Sequence, residues 1–114
     1  TNPYNFLKRF RGFLPVVIDI ETGGFNPKTD ALLELAAVFL SMDSEGYLQP
    51  QKTLSFHIVP FEGAHLDPAA LEFTGIDPYH PFRFAVSEKE ALQEMFTTAE
   101  QEIRQHNCHR AVLV

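Results

Sequence analysis

The sequence predicts a domain of the α/β class, in which strands lie before and after a long helix. Three apolar runs bounded by turn residues occupy the first half of the chain, and a long helical pattern followed by a short apolar run occupies the second half. The chain has 114 residues, of which 45% are hydrophobic and 21% charged. This length and mixture predict a single globular domain.

The first three strands are predicted from runs of apolar residues. Residues 16–20 are mostly β-branched, follow Pro15 and precede a loop marked by Gly23-Gly24 and Asn26-Pro27. Residues 32–40 have a composition that would suit a helix, but the turn-like residues 43–46 favour a strand that enters a hairpin. Residues 53–59 alternate as a third strand, which Pro60 stops.

The helices are predicted from their end signals. Residues 1–12 lack a clear period and suggest an arm or a short helix. Asp67, Pro68 and Gly75 have the residue types of an N-cap, a first helical position and a helix end. The longest helix is predicted to start at Ser87, with Glu90 completing a capping box. Its predicted apolar face is followed by a final strand over residues 111–114, and this face comprises Leu92, Met95, Phe96, Ala99 and Ile103.

Composition limits the class of protein. Eleven phenylalanines are more than a core of this size needs, so we expect some of them to face a ligand. The single cysteine excludes an intramolecular disulfide and predicts a reducing, cytoplasmic compartment. No apolar run reaches 18 residues and the N-terminus lacks the layout of a signal peptide, so no membrane association is expected. A net charge of −6 argues against bulk nucleic-acid binding, although Lys8, Arg9 and Arg11 form a local basic cluster.

Two carboxylates are the first candidates for chemistry. Asp19 and Glu21 lie two residues apart on a predicted strand, so both side chains leave the same face. Two carboxylates on one face repel each other unless a cation joins them, and carboxylates are ligands that Mg²⁺ and Mn²⁺ prefer. The spacing alone leaves open the alternative that both are solvated at the frayed end of the strand.

The residues around this pair resemble the first motif of the DEDDh exonucleases, a DnaQ-like group named for four acidic residues and a histidine. Within that group the resemblance is to the N-terminal half of the ribonuclease T family, and it runs in colinear order from about Arg9 to Val114. The matching segments are Arg9-Phe10-Arg11-Gly12-Phe13, Val16 to Phe25, Thr29-Asp30-Ala31-Leu32-Leu33-Glu34, Pro60-Phe61-Glu62-Gly63-Ala64 and Ala70-Leu71-Glu72-Phe73-Thr74-Gly75-Ile76-Asp77.

The resemblance implies a ribonuclease-H-like exonuclease fold, with a mixed sheet of three antiparallel strands, a crossover helix and then a parallel strand. It implies a 3′-to-5′ exoribonuclease that trims structured RNAs such as tRNA and releases nucleoside monophosphates. Two Mg²⁺ ions per active site, for which Mn²⁺ can substitute, would clamp the attacking and leaving oxygens. Asp19 would bridge both ions and Glu21 would bind one.

The resemblance also implies how substrate is held. Phe25 and Phe73 match phenylalanines that hold the 3′-terminal nucleotides in this family, whereas the ordinary expectation for phenylalanine is a place in the core. Arg9, Arg11 and Arg110 match arginines of a nucleic-acid-binding patch that serves the active site of the partner subunit in a homodimer. The alternative for these arginines is simple solvation at the surface.

The resemblance implies that the family's remaining aspartates and its general-base histidine lie beyond Val114. No histidine here has an aspartate five residues downstream, so no local substitute is expected. Residues 1–114 are therefore expected to be the N-terminal part of a single exonuclease domain, stopping after the fourth strand and inactive alone. Two alternatives stay open: a proofreading-type DNA exonuclease or oligoribonuclease of the same group, and a non-catalytic nucleic-acid-binding or dimerisation module. His106, Cys108 and His109 do not predict zinc, which needs four ligands, and a polar helix terminus is the expected role.

Overall fold

The structure is a computed structural model that describes residues 3–114, in which three helices and four strands follow one another in the chain. They are α1 (Phe6–Arg9), β1 (Phe13–Thr22), β2 (Leu32–Met42), β3 (Leu48–His57), α2 (Pro68–Thr74), α3 (Glu88–Gln105) and β4 (Arg110–Leu113). A 3₁₀ turn, Pro81–Arg83, precedes α3. Within residues 3–114 no helix is both long and apolar enough to cross a membrane.

The strands form one mixed sheet in the order β3-β2-β1-β4. β4 pairs with β1 in parallel, with Phe13 opposite Arg110 and Val16 opposite Leu113. The β1–β2 and β2–β3 connections contain fewer than a dozen residues, so both pairs are antiparallel. The predicted mixed sheet with a crossover helix is confirmed.

The β2–β3 hairpin follows from its turn residues. The Asp43 carboxylate accepts hydrogen bonds from the backbone N–H groups of Glu45 and Tyr47, both at 2.9 Å. The bond from the Tyr47 N–H, aided by the one from Glu45, lowers the pKa of the Asp43 carboxyl against the opposing effect of desolvation. Gly46 has a φ of 87°, a left-handed conformation that glycine adopts without a steric penalty. The predicted strand–turn–strand reading of residues 32–59 is thus confirmed.

Residues 3–114 divide into two compact units. The first contains residues 3–18, Ala37–Leu54 and Glu94–Val114, and its buried side chains include Phe6, Leu14 and Phe39. The second contains Asp19–Ala36 and Ser55–Gln93, and its core includes Leu33 and Ile58. Alternate side chains of β2 are buried along its length, as a strand with one covered face requires.

Two predicted strand boundaries were too narrow. β1 begins at Phe13, so Pro15 lies inside the strand instead of before it. β3 begins at Leu48, five residues before the predicted start at Thr53. Its first half is polar and exposed and contains Pro50, so it lacks the alternation that identifies a half-buried strand.

The caps of α2 and α3 are where the sequence predicted them, but the buried face of α3 matches the prediction only at Met95 and Ala99. Ser87 Oγ accepts a hydrogen bond from the Glu90 N–H at 3.1 Å, as in a capping box. The residues of α3 that are buried are Ala91, Met95, Thr98, Ala99 and Glu102. Phe96, which was predicted on the apolar face, is 52% exposed. Ala91, Thr98 and Glu102 were not predicted on this face, because one is small and the other two are polar.

Candidate active site

The predicted carboxylate pair lies on β1. Asp19 and Glu21 are two residues apart on this strand, which places their side chains on the same face. Asp19 is exposed and Glu21 is half-buried, so both oxygen pairs are accessible to a cation. Among residues 3–114 no group of three or more histidine, cysteine or acidic side chains has metal-binding geometry. The described part of the chain therefore offers carboxylate oxygens of the kind that Mg²⁺ prefers, but only as a pair.

Phe25 and Phe73 are almost completely exposed, at 95% and 91%. A phenylalanine of the core would be close to fully buried, as Phe6 and Phe39 are. The alternative that these two rings belong to the core is therefore wrong. Two exposed aromatic faces of this kind can stack against unpaired bases.

A cavity of about 420 Å³ in the second unit brings three of the predicted residues together. Glu21, Phe25 and Phe73 all line it, and its other walls are mostly apolar. Asp19 does not line this cavity, although it shares a strand with Glu21. The remaining lining residues are Ile20, Thr22, Gly24, Asp67, Ala69, Ala70 and Thr74.

The helix that carries Phe73 is held by its two ends. Asp67 Oδ1 accepts a hydrogen bond from the Ala69 N–H at 3.0 Å, and Pro68 occupies the first turn. Gly75 ends the helix with a φ of 72° and donates its N–H to the Leu71 carbonyl at 2.9 Å. The assignment of Asp67 as a cap is therefore confirmed.

The loop that carries Phe25 is organised by Asp30, whose side chain is only 7% exposed. Asp30 Oδ2 accepts a hydrogen bond from the Asn26 N–H at 2.8 Å. Asp30 Oδ1 lies 2.9 Å from Nδ1 of His65 and accepts a bond from Thr29 Oγ1 at 3.0 Å. The hydrogen bond from the Asn26 backbone, aided by those from His65 and Thr29, lowers the pKa of the Asp30 carboxyl despite the opposing effect of desolvation.

The contact between Asp30 and His65 was not predicted from the sequence. Asp30 was expected to be a loop residue and His65 carried no signal, because the two residues are 35 positions apart and share no motif spacing. A resemblance of the segment around Asp30 to the family was the only available signal.

The predicted arginines belong to the first unit. Arg9 is exposed, donates to the Gly46 carbonyl at 2.9 Å and lies over the ring of Phe10. Arg11 and Arg110 are exposed. Arg11 precedes Gly12 and Arg110 follows His109, and the His109 N–H donates to the Gly12 carbonyl. The structure therefore brings Arg11 close to Arg110, which is 99 positions away in the sequence.

The segment around Cys108 forms contacts within the first unit. Burial raises the pKa of the Cys108 thiol, which disfavours the thiolate that binds metals. Nε2 of His106 lies 3.3 Å from Oε2 of Glu102 and 3.3 Å from Oε1 of Gln51. His106 therefore pairs with a carboxylate next to the end of the helix.

A family model and the most similar curated proteins indicate the same family for this chain. A family model described as an exonuclease, RNase_T, matches residues 16–113. Ribonuclease T of Photorhabdus laumondii is 64% identical over 106 residues, which are 93% of this chain and 49% of the relative. Ribonuclease T of Marinobacter nauticus is 55% identical over 112 residues, which are 98% of this chain and 51% of the relative. The chain thus spans about half the length of these curated relatives.

Solved structures with the same fold include those of exonuclease I. The E. coli enzyme in complex with a dT13 oligonucleotide has a TM-score of 0.61 and 23% identity, over 75% of this chain and 18% of that chain. The enzyme from Methylocaldum szegediense has a TM-score of 0.61 and 21% identity, with the same coverage. At this level of identity the likeness establishes the fold alone.

Proposed function

This chain belongs to the ribonuclease T family of exonucleases, and from that premise we propose that it forms the 3′-end-binding half of a 3′-to-5′ exoribonuclease. The observation that carries the proposal is the cavity in which Glu21 lies with the exposed rings of Phe25 and Phe73. The substrate would be the single-stranded 3′ end of a structured RNA such as tRNA, whose last bases stack on the two rings.

The donor set fits a divalent metal centre. Asp19 and Glu21 are accessible carboxylates on one face of a strand, and they are the residues of this chain that would hold the Mg²⁺ ions. When bound, two such ions supply a Lewis-acid clamp for hydrolysis of a phosphodiester. The residues of this chain then contribute in two ways. The carboxylates would keep the metal ions beside the scissile phosphate, and Phe25 and Phe73 would orient the terminal nucleotides. The further carboxylates and the general-base histidine are predicted to follow Val114.

We also propose that Arg9, Arg11 and Arg110 bind phosphates of the substrate in a homodimer. All three are exposed, and Arg11 and Arg110 are joined through neighbouring residues by the His109–Gly12 hydrogen bond. Guanidinium groups suit phosphate oxygens, because their donors form a rigid fork. In this arrangement the arginines of one subunit serve the active site of its partner.

The proposed activity can be tested by joining residues 1–114 to the second half of the Photorhabdus laumondii ribonuclease T. The fusion should release 3′ nucleotides from a 5′-labelled tRNA that carries a short 3′ extension, in the presence of Mg²⁺. Asp19→Asn should abolish release, whereas the matched control Asp77→Asn, in an exposed loop, should not. A fusion that folds and binds the RNA but releases nothing would favour a non-catalytic binding module, and preference for DNA strands would favour the proofreading-type alternative.

A further inference from the structure

A single oxygen atom contacts the backbone on both sides of Phe25. Asp30 Oδ2 accepts a hydrogen bond from the N–H of Asn26, the residue after Phe25, at 2.8 Å. The same oxygen packs against Gly24, the residue before Phe25, so closely that a Cβ at Gly24 would collide with it. The Phe25 ring itself makes little contact, since it is 95% exposed. The position of this ring is therefore set through its backbone and not through packing.

The other carboxylate oxygen of Asp30 extends this hold to the segment that leads into α2. Oδ1 lies 2.9 Å from His65 Nδ1, and the His65 N–H donates to the Thr29 carbonyl at 2.8 Å. Two residues later, the Asp67 N–H donates to the Gly23 carbonyl at 2.7 Å, while the Asp67 side chain caps α2. The loop of Phe25 and the helix of Phe73 are thus tied together at both His65 and Asp67.

We infer that Asp30 and His65 are positioning residues, which set Phe25 relative to Phe73 so that both rings can grip the last bases of a 3′ end. This inference rests on the proposed function. Each carboxylate oxygen of Asp30 fixes one segment: Oδ2 fixes the backbone next to Phe25, and Oδ1 fixes the segment that leads into α2. Neither Asp30 nor His65 lines the cavity, so the effect of the pair on binding passes through the aromatic rings.

The pair has features that simple loop stabilisation does not need. The Asp30 side chain is 7% exposed although it lies in a surface loop, and its hydrogen-bond partners within residues 3–114, Asn26, Thr29 and His65, belong to the two segments that flank the cavity. Asp77 provides a comparison, because it accepts the Tyr79 N–H at 3.2 Å within its own exposed loop and makes no bond between segments that the structure records in residues 3–114. Asp77→Asn is therefore a matched control for Asp30→Asn.

The experiment is a double-mutant cycle on the full chain. A 5′-fluorescein-labelled single-stranded RNA is titrated by anisotropy in EDTA, which prevents hydrolysis, against the unaltered chain, Asp30→Asn, Phe25→Ala and the double variant. Asp30→Asn should weaken binding about fivefold alone and less than about twofold when Phe25 is already alanine, since coupled residues are not additive. Asp77→Asn should leave the affinity unchanged. Equal losses from Asp30→Asn with and without the Phe25 ring would overturn the inference.

A second strand isolates base stacking from general binding. When the last two nucleotides of the RNA lack bases, Asp30→Asn should no longer change the affinity, whereas a merely structural role would weaken both strands alike. His65→Asn should reproduce the pattern of Asp30→Asn with a smaller loss, which keeps the test available if one variant folds poorly.

Hydrogen exchange at the Asn26 amide adds a measurement that needs no RNA. Exchange should be at least about tenfold faster in Asp30→Ala, because the amide loses its acceptor. An unchanged exchange rate would overturn the inference by itself. By contrast, a Phe25→Ala variant that binds RNA as well as the unaltered chain would contradict the proposed function, and the two failures are therefore distinguishable.

Discussion

His106 and Glu102 lie one helical turn apart, with Nε2 of the imidazole 3.3 Å from Oε2 of a carboxylate that is only 3% exposed. Lys52 Nζ approaches the other oxygen, Oε1, at 3.7 Å from a half-exposed position. Glu102 Oε2 has no conventional hydrogen-bond partner in residues 3–114, and the imidazole of His106 is the basic group that lies beside it. A buried carboxylate in this situation depends on its neighbours for charge compensation.

Removal of His106 should therefore destabilise the first unit more than neutralisation of Glu102. His106→Ala leaves a buried carboxylate with a distant lysine, and we expect a loss of about 1–3 kcal/mol in unfolding free energy. Glu102→Gln keeps the shape and removes the charge, so its loss should be smaller. Urea denaturation of both variants checks the order. A larger loss for Glu102→Gln would mean that the ion pair itself stabilises the fold.

Phe84 is expected to be a site of stored backbone strain. It adopts φ 49° and ψ 46°, a left-handed conformation that is costly for a bulky residue, and its side chain is 82% exposed. Phe84→Gly should raise the unfolding free energy by up to about 1 kcal/mol, the lower end of the cost of a left-handed residue. The melting temperature measures this effect, and Phe82→Gly at a neighbouring exposed position is the control. A decrease in stability for Phe84→Gly, equal to that of the control, would contradict the strain.

Replacement of Phe25 or Phe73 by alanine should separate binding from stability. Either change should weaken binding of a single-stranded 3′ end by about 1–3 kcal/mol for each lost stack. Neither should lower the melting temperature much, since both rings are almost fully exposed. Phe39→Ala in the buried core is the contrasting control and should cost about 3–5 kcal/mol in stability. Normal binding by a variant that melts early would mean that its ring packs in the fold.

The exposed arginines should contribute equally to the binding of different RNA sequences. Replacing Arg9, Arg11 or Arg110 by glutamine should weaken binding equally for different RNA sequences and reduce the slope of log affinity against log salt by about one unit. Arg104→Gln, on the exposed side of α3, is the control and should leave the slope unchanged. Mixed dimers of a subunit without the patch and a subunit without Asp19 test the arrangement across subunits. Equal activity at the two sites of such a dimer would exclude it.

Local chemistry explains which parts of the fold the sequence predicted. The Asp67 cap, the Gly75 end and the hairpin turn at residues 43–46 depend on neighbouring residues, so their patterns are visible in the chain. The burial of Glu102 and the start of β3 depend on distant partners, and no local rule identifies them.

The candidate site divides in the same way. The motif around Asp19 and Glu21 and the match at Phe25 and Phe73 indicated residues that, apart from Asp19, line one cavity. The Asp30–His65 contact was not predictable, because a loop aspartate and an exposed histidine are both ordinary alone. Their relation exists only once β1 and α2 have brought the two loops together.

The claim on which the account depends is that Asp19 and Glu21 bind the catalytic metal ions. Calorimetric titration of Mn²⁺ into the fusion of residues 1–114 with the second half of the Photorhabdus laumondii ribonuclease T tests it directly. Asp19→Ala should weaken Mn²⁺ binding at least about tenfold, equivalent to about 1.4 kcal/mol, while Asp77→Ala should leave it unchanged. An Mn²⁺ affinity that is the same with and without the Asp19 carboxylate would contradict it.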